Sequence, residues 1–163
     1  MLTAARLREL LTYDPVTGIF RWRETRCGRA RAGAAAGSAN GDGYWHIRID
    51  GRLYKAHRLA WLYVHGEWPA GRLDHEDNEP AHNWIANLRP ATMPQNRGNS
   101  KVRSDNLTGL KGVHKARGCE SWVARITQEG RQKYLGSFRS PEEAHAAYAA
   151  AAVEVFGEYA RTA

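Results

Sequence analysis

Cysteine is scarce in this sequence, and long apolar segments are absent. The 163 residues include two cysteines, Cys27 and Cys119, too few for a scaffold of several disulfides or for a four-cysteine zinc site. No apolar run approaches the roughly 18 residues of a membrane span. The N-terminal segment lacks the uninterrupted apolar run of a signal peptide, because it contains Arg6, Arg8 and Glu9. These absences predict a cytoplasmic protein with no membrane partner.

Acidic residues are outnumbered by basic ones. Lys and Arg total 24 against 17 Asp and Glu, a net charge of +7. This excess favours a polyanionic partner, most commonly nucleic acid, although a basic surface without a partner would give the same sum. Five arginines and one glutamate lie in residues 21–31. This stretch is interpreted either as a solvated loop or as an arm that contacts phosphate.

The N-terminal half alternates short helical and strand patterns. Residues 3–11 predict a helix and residues 19–23 a strand. Residues 44–49 and 53–55 flank Asp50-Gly51, a strong signal for a tight β-hairpin. His57 to Val64 follows as a short, buried helix. The length of the chain allows one ordinary domain or two small ones.

Residues 73–99 are rich in Asp, His and Asn but show no clear periodicity. Asp74-His75 opens the segment, and Asn87 and Asn96 follow. Hydrolysis of a phosphodiester needs a base near neutral pH, which His provides, and a hard cation, which Asp and Asn oxygens bind. A capped, hydrogen-bonded loop would have a similar composition. From the residues alone, catalysis and a structural loop remain alternatives.

Residues 44–99 resemble the HNH endonucleases of the phage and homing type. The matching motifs, in chain order, are His57-Arg58, Asp74-His75-Glu76-Asp77, His82-Asn83, Asn87-Leu88-Arg89 and Gln95-Asn96. The resemblance implies a β-hairpin and a helix around one metal ion.

The resemblance also implies a role for each matching residue. His75 corresponds to the general base that activates water, and Asn87 to the residue that orients this base and ties the loop. Asp74 and Asn96 correspond to the ligands of one Mg²⁺ or Mn²⁺ ion per nuclease centre. For His57, a structural role and contact with substrate remain alternatives.

The C-terminal part predicts three short strands followed by a long helix that begins at Ser140-Pro141. Residues 111–139 carry a net charge of +5, whereas residues 141–159 carry −4. This unit resembles the AP2 DNA-binding domain in its Gly109–Val113, Trp122–Ile126 and Tyr134–Phe138 segments and in the helix that follows. The resemblance implies that the outer sheet face meets DNA. The candidate DNA-binding residues are Lys111, His114, Arg117, Arg125, Thr127, Gln132 and Tyr134.

Together, these observations predict an α+β protein. A ββα-metal HNH domain would occupy residues 1–99 with its core at 44–99, residues 100–108 would be a linker, and residues 109–163 would form an AP2-like three-stranded antiparallel sheet packed on one helix. The expected activity is nicking or cleavage of double-stranded DNA, by a monomer or a homodimer, in a microbial or phage-infected cell. The alternative is a DNA-binding regulator with an inactive nuclease domain.

Overall fold

Small antiparallel sheets and short helices build the chain, which confirms the predicted α+β class. The structure is a computed structural model that describes residues 1–26, 28, 30–103 and 105–162. Cys27 and Arg29, both part of the sequence analysis, lie outside the described residues. The chain divides into two units, Met1–Ala91 and Thr92–Ala163. Within the described residues, no helix is long and apolar enough to cross a membrane.

The described residues of the first unit form two helices, three small sheets and one 3₁₀ turn. Its elements are α1 (Ala4–Leu10), β1 (Leu11–Tyr13), β2 (Phe20–Trp22), β3 (Ser38–Ala39), β4 (Trp45–Ile49), β5 (Arg52–Lys55), α2 (Ala56–His65), β6 (Arg72–His75), a 3₁₀ turn (Ile85–Asn87) and β7 (Leu88–Ala91). The antiparallel sheets are β1-β2, β3-β4-β5 and β6-β7.

The β4-β5 hairpin has the tight turn that the sequence predicts. Asp50 and Gly51 adopt φ angles of 46° and 80°, the left-handed conformation that a type I′ turn requires at both central positions. The hairpin leads directly into α2, whose Leu59 and Leu62 are fully buried with Ile47 of β4. This packing fixes the start of α2, and with it His57.

The second unit is a three-stranded antiparallel sheet with helices. Its elements are α3 (Met93–Asn99), β8 (Val113–Lys115), β9 (Trp122–Gln128), β10 (Arg131–Phe138), α4 (Pro141–Phe156) and a 3₁₀ turn (Gly157–Tyr159), with sheet order β10-β9-β8. Ser140 caps α4 by accepting a hydrogen bond from the Glu143 N–H at 3.1 Å, as the sequence predicts.

The core of the second unit lies between the sheet and α4. Ala124 and Ala144 are completely buried there, and Trp122 packs against them. The backbone of Gly112 lies so close to Tyr148 that an added Cβ would be 2.0 Å from the Tyr148 ring. Small residues therefore allow the helix and the sheet to approach closely.

Helix α3 is attached to this second unit. A Cβ on Gly98 would lie 2.7 Å from the Phe156 ring, and the Arg161 N–H donates to the Gly98 carbonyl at 3.1 Å. The Lys111 ammonium donates to the Gly98 and Ser100 carbonyls at 2.6 and 2.7 Å. Residues 93–99 thus share a packing unit with the C-terminal sheet. The division into functional domains at 1–99, 100–108 and 109–163 remains a prediction.

Candidate active site

The β6-β7 hairpin presents Asp74 and His75 at its end. Asp74 pairs across the sheet with Arg89, and His75 pairs with Leu88. The Arg89 Nε donates to the Asp74 carboxylate at 3.1 Å, and both side chains are largely buried. A buried carboxylate needs such a partner, because an uncompensated charge away from water is costly. The ion pair therefore fixes the position of the Asp74 carboxylate next to His75.

His75 is a buried imidazole with an identifiable tautomer. Its Nε2 lies 3.5 Å from Asn83 Oδ1, at the outer limit of a hydrogen bond. The Asn83 Nδ2 donates to the Ala81 carbonyl at 2.7 Å, which fixes the orientation of that amide. Because an oxygen faces Nε2, the ring proton is on Nε2 and the lone pair is on Nδ1.

The surroundings of His75 keep its ring neutral at ordinary pH. Burial lowers the pKa of His75, and the Asn83 contact opposes this shift. The side chain is only 6% exposed. A neutral imidazole is the form that accepts a proton.

Asn83 is held by a turn from the start of the chain. The Tyr13 hydroxyl donates to the Asn83 carbonyl at 2.8 Å. Gly18, at φ 73°, approaches so closely that an added Cβ would be 2.3 Å from the Trp84 nitrogen. Residues 13–18 thereby support the amide that faces His75. In the sequence, Asn83 belongs to the His82-Asn83 motif but is not among the predicted site residues.

Asn87 ties the loop between β6 and β7. Its side chain accepts a hydrogen bond from the Asp77 N–H at 3.1 Å and donates to the Asp77 carboxylate and to the His82 carbonyl at 2.9 and 3.0 Å. Asp77 in turn accepts from His82 Nδ1 at 2.6 Å. These contacts agree with a loop-tying residue, while the amide observed beside the His75 ring is that of Asn83.

Replacing Asn87 with alanine is expected to destabilise the first unit by about 2–4 kcal/mol, because the three hydrogen bonds of its side chain are lost together. Urea denaturation would measure the change. Glu76→Ala is a matched control in the same loop, because the Glu76 side chain is exposed and its removal should leave stability unchanged. Equal stability of Asn87→Ala and wild type would contradict a loop-tying role.

The fourth predicted nuclease residue, Asn96, lies on α3 in the second unit. Thr92 caps this helix, with the Gln95 side chain accepting from the Thr92 N–H at 2.7 Å. Asn96 is therefore on a helix with a well-defined start. Among the residues that the structure describes, no group of three or more His, Cys, Asp or Glu side chains is placed to hold a metal.

The outer face of the β8-β9-β10 sheet carries most of the predicted DNA-binding residues. Arg125 of β9 lies opposite Tyr134, Thr127 lies opposite Gln132, and His114 lies opposite Val123. Directly opposed residues of antiparallel strands share a face. Ala124, between these β9 positions, is buried against α4, so the face turned away from the helix carries five of the candidates: His114, Arg125, Thr127, Gln132 and Tyr134.

This face is polar and largely exposed. Arg125 donates to the Gln132 side chain at 3.4 Å, and 58% of Tyr134 is exposed. Burial, together with the nearby Arg125, lowers the pKa of His114. Arg117 is exposed in the loop after β8. The Lys111 ammonium is instead engaged with the carbonyls at the end of α3.

The sequence of this site matches a known enzyme family. The family model for HNH endonucleases matches residues 54–97, which include α2, the β6-β7 hairpin and the start of α3. The chain therefore contains an HNH endonuclease family domain at residues 54–97. Over 93 residues it is 36% identical to Protein 3.8 of Escherichia phage T7, an alignment that covers 55% of this chain and 74% of that protein. The family match and the phage relative agree with the resemblance to HNH endonucleases and with a phage connection.

Proposed function

We propose that this protein is a metal-dependent endonuclease that nicks or cleaves double-stranded DNA. The observation that carries the proposal is the buried Asp74-His75 pair at the end of the β6-β7 hairpin, inside the segment that matches the HNH family. His75 Nδ1 would accept a proton from the attacking water, while the Asn83 oxygen holds the Nε2 proton. Asn87 would keep the loop, and therefore Asn83, in place.

The donor atoms of the proposed metal site fit Mg²⁺ or Mn²⁺. Asp74 and Asn96 offer a carboxylate and an amide oxygen, and hard divalent cations prefer oxygen ligands. Mg²⁺ commonly binds through one or two protein side chains and retains several waters, so a small donor set is sufficient. The cation would supply positive charge for the phosphate oxygens during hydrolysis. Arg89 would hold the Asp74 carboxylate in orientation for it.

An AP2-like role for the C-terminal sheet would target this activity. Arg125, Gln132 and Tyr134 lie side by side on an exposed face. An Arg guanidinium can bind guanine through two hydrogen bonds, and His114 and Arg117 could contact the phosphates nearby. A DNA-binding unit on the same chain raises the effective concentration of the nuclease at its site. One metal centre per chain implies one strand cut per subunit, so a double-strand break would need a homodimer or two successive cuts by a monomer.

Nicking of a supercoiled plasmid tests the proposal. We expect wild-type protein to convert supercoiled DNA into open circles with Mg²⁺ or Mn²⁺, and to leave it intact with EDTA, because the charge on the phosphate is then not compensated. A binding assay on the same plasmid provides the control. DNA binding without cleavage in either metal, on DNA that contains the recognition site, would contradict a nuclease and favour the DNA-binding regulator.

A further inference from the structure

His57 is a buried histidine whose ring makes no hydrogen bond to the described residues. It occupies the first turn of α2 and is only 6% exposed. Its Nδ1 is fully enclosed and has no hydrogen-bond partner among the described residues. A buried polar atom in this condition destabilises the folded state. Phe or Leu would fill the position without that cost, so packing alone does not account for a histidine here.

The neighbours of His57 are the rings of the nuclease centre. Its ring centroid lies 5.0 Å from that of His75, with the two planes at 80°. Tyr44 contacts both histidines, with centroid distances of 5.2 Å to His57 and 6.0 Å to His75. The Lys55 ammonium lies 3.5 Å from the centre of the Tyr44 ring. His57 therefore touches the imidazole that would act as the base.

The protonation state of His57 follows from its burial. Burial, followed by the proximity of His75, lowers the pKa of His57 to about 3. The ring is therefore neutral at physiological pH and carries a single N–H. Unpaired buried N–H groups are rarer than unpaired acceptors. The enclosed Nδ1 is then the acceptor, and Nε2 carries the proton.

We propose that His57 is a second functional imidazole of this centre, whose Nε2–H donates a hydrogen bond to a non-bridging oxygen of the phosphate that is hydrolysed. The inference rests on the nuclease function proposed above. A neutral donor at this position stabilises negative charge that develops on the phosphate without placing a second cation beside His75. The other possible role is that of a purely structural side chain in the core. In that case substitution of His57 would lower the melting temperature and leave the rate of nicking unchanged.

Three substitutions separate the two roles. His57→Phe keeps a flat ring but removes both nitrogens. His57→Gln and His57→Met form a matched pair of similar length, of which only Gln offers an N–H group near the position of Nε2. All are made in the full-length chain. Plasmid nicking, plasmid binding and thermal melting are measured for each.

A functional donor predicts that His57→Phe lowers the rate of nicking by roughly 100-fold, the usual effect of losing one donor at a developing oxyanion. The loss should fall on kcat rather than on KM or plasmid binding, because the bond strengthens in the transition state. The melting temperature should be unchanged or higher by about 2–4 °C, because the unpaired Nδ1 is gone. His57→Gln should nick at least about tenfold faster than His57→Met.

Two results would overturn the inference. Wild-type nicking by His57→Phe would show that no nitrogen is needed at this position. Equal nicking by the Gln and Met variants, with lower melting temperatures for both, would show a packing role even if His57→Phe does not fold. A wild-type protein that binds the plasmid but never nicks it would instead overturn the proposed function itself, and the inference with it.

Discussion

Replacing His75 with alanine is expected to lower the rate of metal-dependent nicking by roughly 10²–10⁴-fold, the usual contribution of a general base. The imidazole is buried, and Asn83 Oδ1 faces its Nε2, which fixes the tautomer. DNA binding should be retained, because the proposed DNA-binding face lies on the C-terminal sheet. The measurement is the rate of open-circle formation, with binding followed on the same plasmid.

His65→Ala is the matched control for this substitution. His65 lies in the last turn of α2, is exposed, and contacts Trp61 with ring centroids 4.1 Å apart. Its removal should leave nicking at the wild-type rate. Unchanged nicking by His75→Ala would exclude His75 as the base, whereas a loss of both nicking and binding would indicate a collapsed fold.

The pH dependence of nicking provides a second readout on His75. Burial lowers the pKa of this ring below its ordinary value of 6.5. As pH falls through the lowered pKa, the ring gains a proton and loses the lone pair that the reaction needs. The acid limb of kcat/KM is therefore expected below pH 6.5, with the rate level above it until another group titrates. A midpoint at or above that value would contradict a buried, neutral base.

The second large effect is expected from Gly112→Ala, which should destabilise the C-terminal unit by about 2–5 kcal/mol. An added Cβ would lie 2.0 Å from the Tyr148 ring, and Gly112 adopts φ 76°, a region that other residues rarely occupy. The Gly112 carbonyl also accepts the Arg125 N–H at 2.9 Å, so movement here would disturb the outer face of the sheet. Thermal melting and DNA binding would measure both consequences.

Gly109→Ala separates backbone strain from the steric clash. Gly109 has a similar φ of 69°, but an added Cβ would meet nothing within 4 Å. This variant should lose only about 1–2 kcal/mol, from strain alone. Equal losses in the two variants would show that the contact between Gly112 and Tyr148 contributes nothing to stability.

Local signals explain why much of the fold could be predicted from the sequence. Asp50-Gly51 specifies its own turn, and Ser140 caps α4 through a residue three positions away. The alternation along β9 also predicts which face is buried, because side chains alternate between faces along any strand. These features depend on neighbours within a few residues. Contacts between distant parts of the chain therefore have little effect on them.

The contacts around His75 depend on residues far apart in the chain. Asn83 reaches His75 because the loop turns back at Asn78, at φ 64°, and because Tyr13 and Gly18 hold it from the opposite side. A motif identifies Asn83 and Asn87 as polar positions, but it does not indicate which amide faces the imidazole. The contacts of Lys111 could not be predicted from a motif either. Lys111 is a candidate DNA-binding residue in the sequence, but its ammonium binds carbonyls at the end of α3.

The attachment of α3 determines where this chain can be recombined with others. Lys111, Phe156 and Arg161 all hold the segment 97–100. A fragment ending at residue 99 would leave this helix without those supports, whereas an exchange at the boundary between Ala91 and Thr92 would transfer the helix intact. Such an exchange also transfers Asn96, so a chimaera with a new DNA-reading unit would receive one proposed metal ligand from the donor protein. Under the proposed metal site, redirecting the nuclease to new DNA by exchanging the C-terminal unit would therefore require the donor segment to carry its own asparagine at that position.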